Sequence, residues 1–317
     1  MNNIYTLEPL NDSLVHYLHQ TTGLEVIQLE RGKFPIQSCQ CDDISILICR
    51  DRDDISKILD ICSNIRMIFI VSTGVEKLPF DKLIQKNIVV CNTGGINSGI
   101  MSEYAMGAIL LFSTRMRENI INQDKHIWKK FQCVDSLNGK RLVIVGAGRT
   151  GQLIAKKAKS FGMHLIGIKR RITTLDSFDE ILSLDKIDET LPTADYIVCT
   201  IPSTPETVGL FNLSRFKKMN KYSLFINISR GNLVVQEDLV NALKNNLIGG
   251  AVLDVFEKEP LGCDNALWNC PNLVITPHSS GRLENFMAEA MKYAAKNINA
   301  FVNGTLLPNK VDLIHGY

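Results

Sequence analysis

The sequence has little excess charge of either sign and no long apolar run. Its 317 residues carry 35 Lys plus Arg against 33 Asp plus Glu, which leaves a formal net charge of +2. Nucleic-acid binding draws on many cations that neutralise phosphates, so this balance argues against a broad nucleic-acid surface. The longest apolar stretches, 67–71 and 105–112, fall well short of the roughly 18 residues that a membrane-spanning helix needs. We therefore expect neither a nucleic-acid nor a membrane partner.

The sequence also lacks a cysteine pattern that would indicate disulfides or a metal. Its nine cysteines are scattered, and an odd number without a short repeated spacing fits neither a disulfide framework nor a zinc site. Cys39 and Cys41 form the closest pair, and because no histidine lies near them in sequence we expect no metal. The amino terminus has neither the basic start nor the apolar run of a secretory signal, so we expect a cytoplasmic protein.

Short β-branched runs alternate with amphipathic segments, first before residue 92 and again from 141 to 276. This alternation predicts parallel βαβ units, and a length of 317 residues suits about two domains. Two longer helical patterns, 99–116 and about 283–302, lie between and after the two series. In the first series the predicted strands are 24–29, 44–49, 66–71 and 88–92, and the predicted helices are 11–19 and 53–61.

A glycine pattern opens the second series. Residues 141–151 read RLVIVGAGRTG, so Gly146, Gly148 and Gly151 form G-x-G-x-x-G between an apolar strand and a helical pattern. The first glycine permits a tight turn, the second lets a pyrophosphate approach the backbone, and the third allows close helix packing. An ordinary glycine-rich turn is the alternative. The helix and second strand that follow favour dinucleotide binding.

The residues after that second strand bear on which dinucleotide binds. About 20 residues after the fingerprint an NAD site carries an acidic residue for the ribose, whereas this chain has Lys169, Arg170 and Arg171 there. Three cations suit a 2′-phosphate. The pattern favours NADP(H) over NAD(H), with a solvated basic loop as the alternative interpretation.

Arg230, Glu259 and His278 each follow a short apolar strand pattern of the second series, at 224–227, 251–255 and 274–276 respectively. The carboxyl ends of parallel strands are where open α/β sheets bind ligands. Hydride transfer to a carbonyl beside a carboxylate needs a cationic fork for the acid, a proton donor, and a group that keeps the donor charged. Arginine, histidine and glutamate supply these functions. Taken singly, each residue also has an ordinary interpretation as a turn, a strand end or a loop histidine.

Across essentially its whole length the chain resembles the D-isomer-specific 2-hydroxyacid dehydrogenase family. The matching stretches, in the family's order, are GKRLVIVGAGRTG, ADYIVCTIPSTPETVGL, INISRGNLVVQEDLVNAL, GGAVLDVFEKEPL and NLVITPHSSG. The resemblance implies that Arg230 clamps the substrate, that His278 acts as acid and base, and that Glu259 is its partner. It implies two doubly wound parallel-sheet α/β domains, a flavodoxin-like substrate domain (1–98 plus 284–317) and a Rossmann cofactor domain (99–283).

The resemblance also implies which residues bind the ligands. Thr73, Gly74 and Val75 match the loop whose backbone amides hold the substrate carboxylate, and Asp254 is assigned to the nicotinamide end of the cofactor. The implied cofactor-binding set comprises Gly146, Gly148, Arg149, Thr150, Gly151, Lys169, Arg170, Arg171, Ile201, Pro202, Ile228, Ser229, Asp254 and Gly281.

On this resemblance we expect an NAD(P)-dependent enzyme that reduces a small 2-keto acid, such as glyoxylate or hydroxypyruvate, to the D-2-hydroxy acid. Lys169 stands where many members carry aspartate, which supports NADP(H), with NAD(H) as the alternative. We expect a homodimer, because cyclic dimers are the commonest assembly and the polar arm near Trp128 suits a two-fold partner. The alternative function is a nucleotide-sensing regulator without turnover, against which the intact Arg, Glu and His set argues.

Overall fold

A computed structural model describes residues 3–30, 41, 43–130 and 133–314, so Cys39 of the cysteine pair lies outside the described residues. The chain divides into two compact units, Met1–Ile96 with Leu283–Tyr317 (unit 1) and Asn97–Arg282 (unit 2). Among the described residues, unit 1 contains a five-stranded sheet and unit 2 a seven-stranded sheet. Both sheets are parallel, which confirms the predicted α/β class.

The strands of the described ranges are short. In chain order they are β1 Asn3–Thr6, β2 Glu25–Gln28, β3 Ile46–Cys49, β4 Met67–Ile70, β5 Val89–Asn92, β6 Arg141–Val145, β7 His164–Ile168, β8 Glu180–Leu182, β9 Tyr196–Cys199, β10 Leu224–Asn227, β11 Gly250–Leu253 and β12 Leu273–Ile275.

The helices connect these strands. The α-helices are α1 Asp12–Thr22, α2 Ile55–Ile61, α3 Phe80–Gln85, α4 Ser98–Ser113, α5 Met116–Asp124, α6 Arg149–Lys159, α7 Ile187–Thr190, α8 Leu213–Lys218, α9 Gln236–Lys244 and α10 Phe286–Val302. No helix within the described ranges combines the length and the apolar character that crossing a bilayer would require.

Unit 1 is built on the strand order β2-β1-β3-β4-β5. Strands β3 and β4 are buried at every position, as expected for parallel strands that helices cover on both faces. Helix α10 belongs to this unit, although it follows unit 2 in sequence. Its small residues Ala290, Ala294 and Ala295 are buried in the same core as Ile46 and Phe69 of the sheet.

Unit 2 has the strand order β12-β11-β10-β9-β6-β7-β8. From β6 the chain moves outward to β7 and β8, and it then returns to β9 on the other side of β6. Strands β6 and β9 therefore flank the point where the direction of winding reverses. In open parallel sheets, the carboxyl ends of the strands at such a point form the ligand-binding crevice.

The predicted helix over 99–116 is wrong at its end, because α4 stops at Ser113 and a second helix, α5, starts at Met116. Thr114 Oγ1 donates to the Leu110 carbonyl at 2.6 Å, so the hydroxyl competes for a backbone acceptor of the last turn. Arg115 then adopts φ 55, which breaks the helix. Its Nε donates to the Cys133 carbonyl at 2.7 Å.

Candidate functional site

The three fingerprint glycines have different surroundings. Gly146 has φ 115, and a Cβ there would lie 2.7 Å from the backbone of Thr200 and of Ile201. A Cβ on Gly151 would lie 2.2 Å from the Gly146 carbonyl oxygen, so only glycine allows this close packing. A Cβ on Gly148 would have no neighbour within 4 Å. The loop is thus tight at its two ends and open at its centre.

Helix α6 begins directly after Gly148, its N-cap residue. The amides of a helix start have no intrahelical acceptor, and together with the helix dipole they favour an anion. Arg149 is exposed at this start, and Thr150 Oγ1 lies 2.9 Å from Ser98 Oγ of α4. The residues present fit a dinucleotide, whose pyrophosphate the open Gly148 position and the first turn of α6 would hold.

The basic segment follows β7, the strand next to the fingerprint strand β6. The Lys169 amide donates to the Leu182 carbonyl at 2.9 Å, which ties the segment to β8. Lys169 Nζ donates to Thr173 Oγ1 at 3.0 Å, and Arg170 and Arg171 are exposed. The segment therefore presents cationic groups at the carboxyl end of β7, where a dinucleotide ribose would be recognised.

The residues predicted to line the nucleotide pocket lie after β9 and β10. The Ile201 carbonyl accepts a hydrogen bond from Ser229 Oγ, which joins the two strand ends. The Pro202 carbonyl accepts from Thr207 Oγ1 at 2.8 Å. Ile228 is buried beside Ser229. These contacts fix the segments that follow β9, the strand next to β6, and β10, the strand beyond β9.

Arg230 lies three residues after the end of β10, in a turn that internal hydrogen bonds hold. Asn227 Nδ2 donates to the Arg230 carbonyl at 2.9 Å, and the Arg230 guanidinium donates to the Ser229 carbonyl at 2.9 Å. A Cβ on the next residue, Gly231, would lie 1.9 Å from the backbone of Phe256. Glycine therefore lets the arginine turn pack directly against the segment that carries Glu259.

His278 and Glu259 form a hydrogen-bonded pair. The carboxylate is an acceptor, so His278 Nδ1 donates to Glu259 Oε2, at 2.8 Å. The other carboxylate oxygen, Oε1, accepts the Phe256 amide at 2.9 Å. Both side chains are partly exposed, His278 at 53% and Glu259 at 36%. This arrangement fixes one imidazole nitrogen and leaves Nε2 for proton exchange with a ligand.

Asp254 lies directly after β11 and is 0% exposed. Its Oδ1 accepts the Thr276 hydroxyl at 2.5 Å and the Ser279 amide at 2.8 Å. Its Oδ2 accepts the Ser280 amide at 2.9 Å. The predicted contact of Asp254 with the nicotinamide stays a prediction, whereas the contacts in the structure are with the loop that carries His278.

An apolar-walled depression of about 700 Å³ adjoins the His278–Glu259 pair. Phe256, Leu261 and Trp268 supply apolar walls, and Arg282 supplies a cation. All these residues belong to unit 2. The depression offers room beside the imidazole for part of a small organic acid.

The predicted carboxylate-binding loop, Thr73 to Val75, belongs to unit 1 and follows β4. Two side chains shape it. Asn92 Nδ2 donates to the Thr73 carbonyl at 2.9 Å, and Ser72 Oγ donates to the Gly74 carbonyl at 2.8 Å. With these carbonyls engaged, the backbone of the loop is fixed, as a site built from backbone amides requires.

Within unit 2 the structure brings His278 together with Glu259 and Asp254, and it places the glycine loop at the switch point of the same sheet. Sequence reasoning missed Thr276 and Tyr104, whose hydroxyls lie 2.5 Å apart behind the histidine loop. No local motif marks either residue, because they are 172 positions apart along the chain. Gly281 ends the loop, where a Cβ would lie 3.4 Å from Asn97 Nδ2.

Comparisons with known proteins show which family the chain resembles. The family model for the D-isomer specific 2-hydroxyacid dehydrogenase, NAD binding domain, matches residues 106–280. The chain is 32% identical over 274 residues to glyoxylate reductase/hydroxypyruvate reductase of Mus musculus, covering 84% of each protein. It is 28% identical over 318 residues to D-3-phosphoglycerate dehydrogenase of Methanocaldococcus jannaschii, covering 99% of this chain and 60% of that relative's length.

A solved structure extends the likeness to the fold. A probable 2-hydroxyacid dehydrogenase from Rhizobium etli, in complex with NADP, HEPES and L(+)-tartaric acid, matches with a TM-score of 0.83 at 25% identity over 100% of this chain and 99% of that chain. The family model alone spans more than half of the sequence. The chain therefore belongs to the D-isomer specific 2-hydroxyacid dehydrogenase family.

Proposed function

We propose that this protein is an NAD(P)-dependent oxidoreductase that reduces a small 2-keto acid to the D-2-hydroxy acid. The observation that carries the proposal is the His278–Glu259 hydrogen bond of 2.8 Å. The pair follows β11 and β12, at the same sheet edge as the glycine loop after β6. A proton donor thus lies on the edge where a dinucleotide binds in folds of this type.

The glycine loop 146–151 would hold a nicotinamide dinucleotide, which would supply the hydride that reduces C2 of the acid. His278 donates a proton from Nε2 to the carbonyl oxygen, which becomes the hydroxyl of the product. Glu259 accepts from Nδ1, so it fixes the ring orientation and favours the positively charged imidazolium that must give up the proton. In the reverse direction the same imidazole accepts the hydroxyl proton.

Arg230 is proposed to hold the substrate carboxylate. It follows β10, two strands from β12 in the sheet, and strands lie about 4.8 Å apart, so the two strand ends are about 10 Å apart. The long Arg230 side chain can reach across part of that span, so its guanidinium fork can bind the carboxylate while the imidazole contacts the neighbouring carbonyl. In unit 1, the backbone amides of Thr73 to Val75 are proposed to bind the substrate carboxylate.

NADP(H) is the proposed coenzyme, with NAD(H) as the alternative. Lys169, Arg170 and Arg171 place cations at the end of β7, where a 2′-phosphate would be recognised. The similar Rhizobium etli protein was solved with NADP, which supports this choice.

Glyoxylate and hydroxypyruvate are the proposed substrates. The mouse relative, at 32% identity, carries the names of both reductase activities. Both acids present the carboxylate and adjacent carbonyl that Arg230 and His278 would bind. The depression of about 700 Å³ beside His278 has room for a longer side chain, so the substrate panel includes larger 2-keto acids.

The experiment is a spectrophotometric assay of NADPH and NADH oxidation with glyoxylate, hydroxypyruvate, pyruvate and longer 2-keto acids, followed by chiral analysis of the product. We expect turnover with glyoxylate or hydroxypyruvate and a higher kcat/KM with NADPH. The product should be the D isomer for every acid except glyoxylate, whose product, glycolate, has no stereocentre. Cofactor binding without turnover of any acid would contradict the reductase and favour the nucleotide-sensing regulator.

A homodimer is also proposed. After α5 the chain exposes apolar side chains, with Ile127 at 51% and Trp128 at 87%. Met116 and Ile120 of α5 are exposed at 51% and 49%, and clustered exposed apolar groups mark interaction surfaces. Light scattering of the purified chain should give twice the 35.5 kDa monomer mass, whereas a monomer mass at micromolar concentration would contradict the proposal.

A further inference from the structure

The loop that carries His278 has a conformation that needs support. His278 adopts φ 51, in the left-handed region that only glycine and a few polar residues enter readily. Such a conformation persists when neighbouring groups determine it. The His278 amide donates to the Asp254 carbonyl at 2.8 Å, so the backbone of the strained residue is itself held by Asp254.

The Asp254 carboxylate holds the same loop on both sides of the histidine. Before His278 it accepts the Thr276 hydroxyl at 2.5 Å, and after it the amides of Ser279 and Ser280 at 2.8 and 2.9 Å. The carboxylate is fully buried, where hydrogen bonds are stronger than in water. The orientation of the imidazole therefore depends on where this carboxylate and its donors lie.

The direction of the hydrogen bonds adds Tyr104 to this arrangement. A carboxylate can only accept hydrogen bonds, so the Thr276 hydroxyl donates its single proton to Asp254. The Tyr104 hydroxyl, 2.5 Å from Thr276 Oγ1, must then be the donor to Thr276. Burial and the charge of Asp254 raise the pKa of Tyr104. The phenol consequently stays protonated, and a donor, at neutral pH.

Tyr104 stands on a helix that also contacts the cofactor loop. Six residues earlier on α4, Ser98 Oγ lies 2.9 Å from Thr150 Oγ1 of the fingerprint helix α6. Glu103 pairs with Lys157 of α6 at 2.9 Å. Six helical residues span about 9 Å. One rigid helix thus links the glycine loop to the histidine loop.

We propose that Tyr104 is a positioning residue for proton transfer: through Thr276 and Asp254, its hydroxyl sets the orientation of His278. This inference rests on the proposed reductase function. Tyr104 touches neither cofactor nor substrate in this role, and it acts only through the loop 276–280.

The test replaces the Tyr104 hydroxyl alone. Tyr104→Phe should lower kcat about 5- to 20-fold, less than the roughly 100-fold that a 1 Å misplacement can cause, with KM for the 2-keto acid and Kd for NADPH within twofold of wild type. Thr276→Val should match it, and Thr276→Ser, which keeps a hydroxyl, should retain wild-type kcat. Because both residues act through one series of hydrogen bonds, the double variant Tyr104→Phe with Thr276→Val should lower kcat no more than either single variant does.

The matched control is Tyr196→Phe. Tyr196 lies on β9 in the same unit, is buried, and its hydroxyl bonds Ser113 rather than the histidine loop. We expect this control to leave kcat unchanged, even if it lowers the melting temperature. An unchanged kcat in Tyr104→Phe, additive losses in the double variant, or a Thr276→Ser variant as slow as Thr276→Val would each overturn the proposal.

A second measurement does not depend on turnover. Hydrogen exchange of the peptide that contains Ser279 and Ser280 should accelerate at least fivefold in Tyr104→Phe and remain at the wild-type rate in Tyr196→Phe. If the wild-type chain reduces no 2-keto acid, the proposed function fails, and the exchange rates still decide whether Tyr104 holds the loop. Equal exchange in wild type and Tyr104→Phe would contradict the proposal.

Discussion

The glycine loop at 146–151 and the histidine loop at 276–280 lie at the same edge of one sheet but are held in different ways. In the glycine loop one decisive contact is local, since Gly151 packs on the carbonyl of Gly146, five residues away, and the turn at Gly146 also lies against the backbone of Thr200 and Ile201. The histidine loop depends on Asp254 and Tyr104, which lie 22 and 172 positions from their partner Thr276.

The two loops differ in how much of their geometry a single sequence can predict. A loop whose geometry is set by its own backbone needs specific residue types at fixed spacing, and that spacing is visible in a single sequence. For a loop held by residues from distant elements, the sequence indicates only the residue that does the chemistry, here His278. Its supports become visible when the sheet brings β11, β12 and α4 together.

The largest effect should come from breaking the local loop. Gly151→Ala places a methyl group 2.2 Å from the Gly146 carbonyl, so we expect about 1–3 kcal/mol of destabilisation and a Kd for NADPH raised about 100-fold. Gly148→Ala is the matched control, because its methyl group meets nothing within 4 Å. This variant should keep the wild-type melting temperature and still weaken NADPH binding about tenfold. Equal melting temperatures for both variants would contradict the packing account.

The next effect concerns the histidine loop. Glu259→Gln keeps an oxygen for the Phe256 amide and removes the charge beside His278 Nδ1. We expect kcat to fall about 10- to 100-fold, part of the 10²–10⁴ that general acid catalysis contributes, with NADPH affinity unchanged. Glu257→Gln, at an exposed neighbouring position, should have no effect on kcat. A Glu259→Gln variant with wild-type turnover would show that the ion pair is dispensable.

The next test concerns the basic segment 169–171, which is proposed to select the coenzyme. Arg170→Ala should raise Kd for NADPH about tenfold, the lower end for a hydrogen bond to a charged group, and leave Kd for NADH within twofold. Arg66→Ala in unit 1, an exposed arginine outside the cofactor unit, should change neither value. Parallel losses for both coenzymes in Arg170→Ala would remove the 2′-phosphate assignment.

The smallest effect tests how tightly the sheets of the two units are packed. Cys133 and Cys263 are exposed, whereas burial raises the pKa of Cys91 and Cys199 to about 12. A thiol reagent at pH 8 should label Cys133 and Cys263 within minutes, and Cys91 and Cys199 only after unfolding, because the thiolate is the reactive form. Peptide mapping locates each label. Rapid labelling of Cys199, at the end of β9, would contradict a tightly packed sheet.

Much of the fold could be predicted from the sequence alone. Strand β10 lies at Leu224–Asn227 as predicted, because a continuous apolar run is what a strand buried on both faces requires. Strand β1, at Asn3–Thr6, was not predicted. It is four residues long, and its pairing with β2 and β3 is a tertiary contact that no local pattern encodes.

The helix break at Arg115 was missed for a related reason. The residues around it have ordinary helix propensity, and the left-handed backbone is stabilised by a distant acceptor, the Cys133 carbonyl. The same holds for the site. Gly146, Gly148 and Gly151 follow from spacing, whereas Asp254 as a support of the histidine loop follows only from the positions of Thr276, Ser279 and Ser280.

The measurement that bears most directly on the reductase account compares His278→Ala with wild type in two assays, NADPH binding by fluorescence and single-turnover reduction of hydroxypyruvate. The account predicts an unchanged Kd for NADPH and a reduction rate lower by about two to four orders of magnitude. A variant that reduces the acid at the wild-type rate would contradict the role of His278 as proton donor.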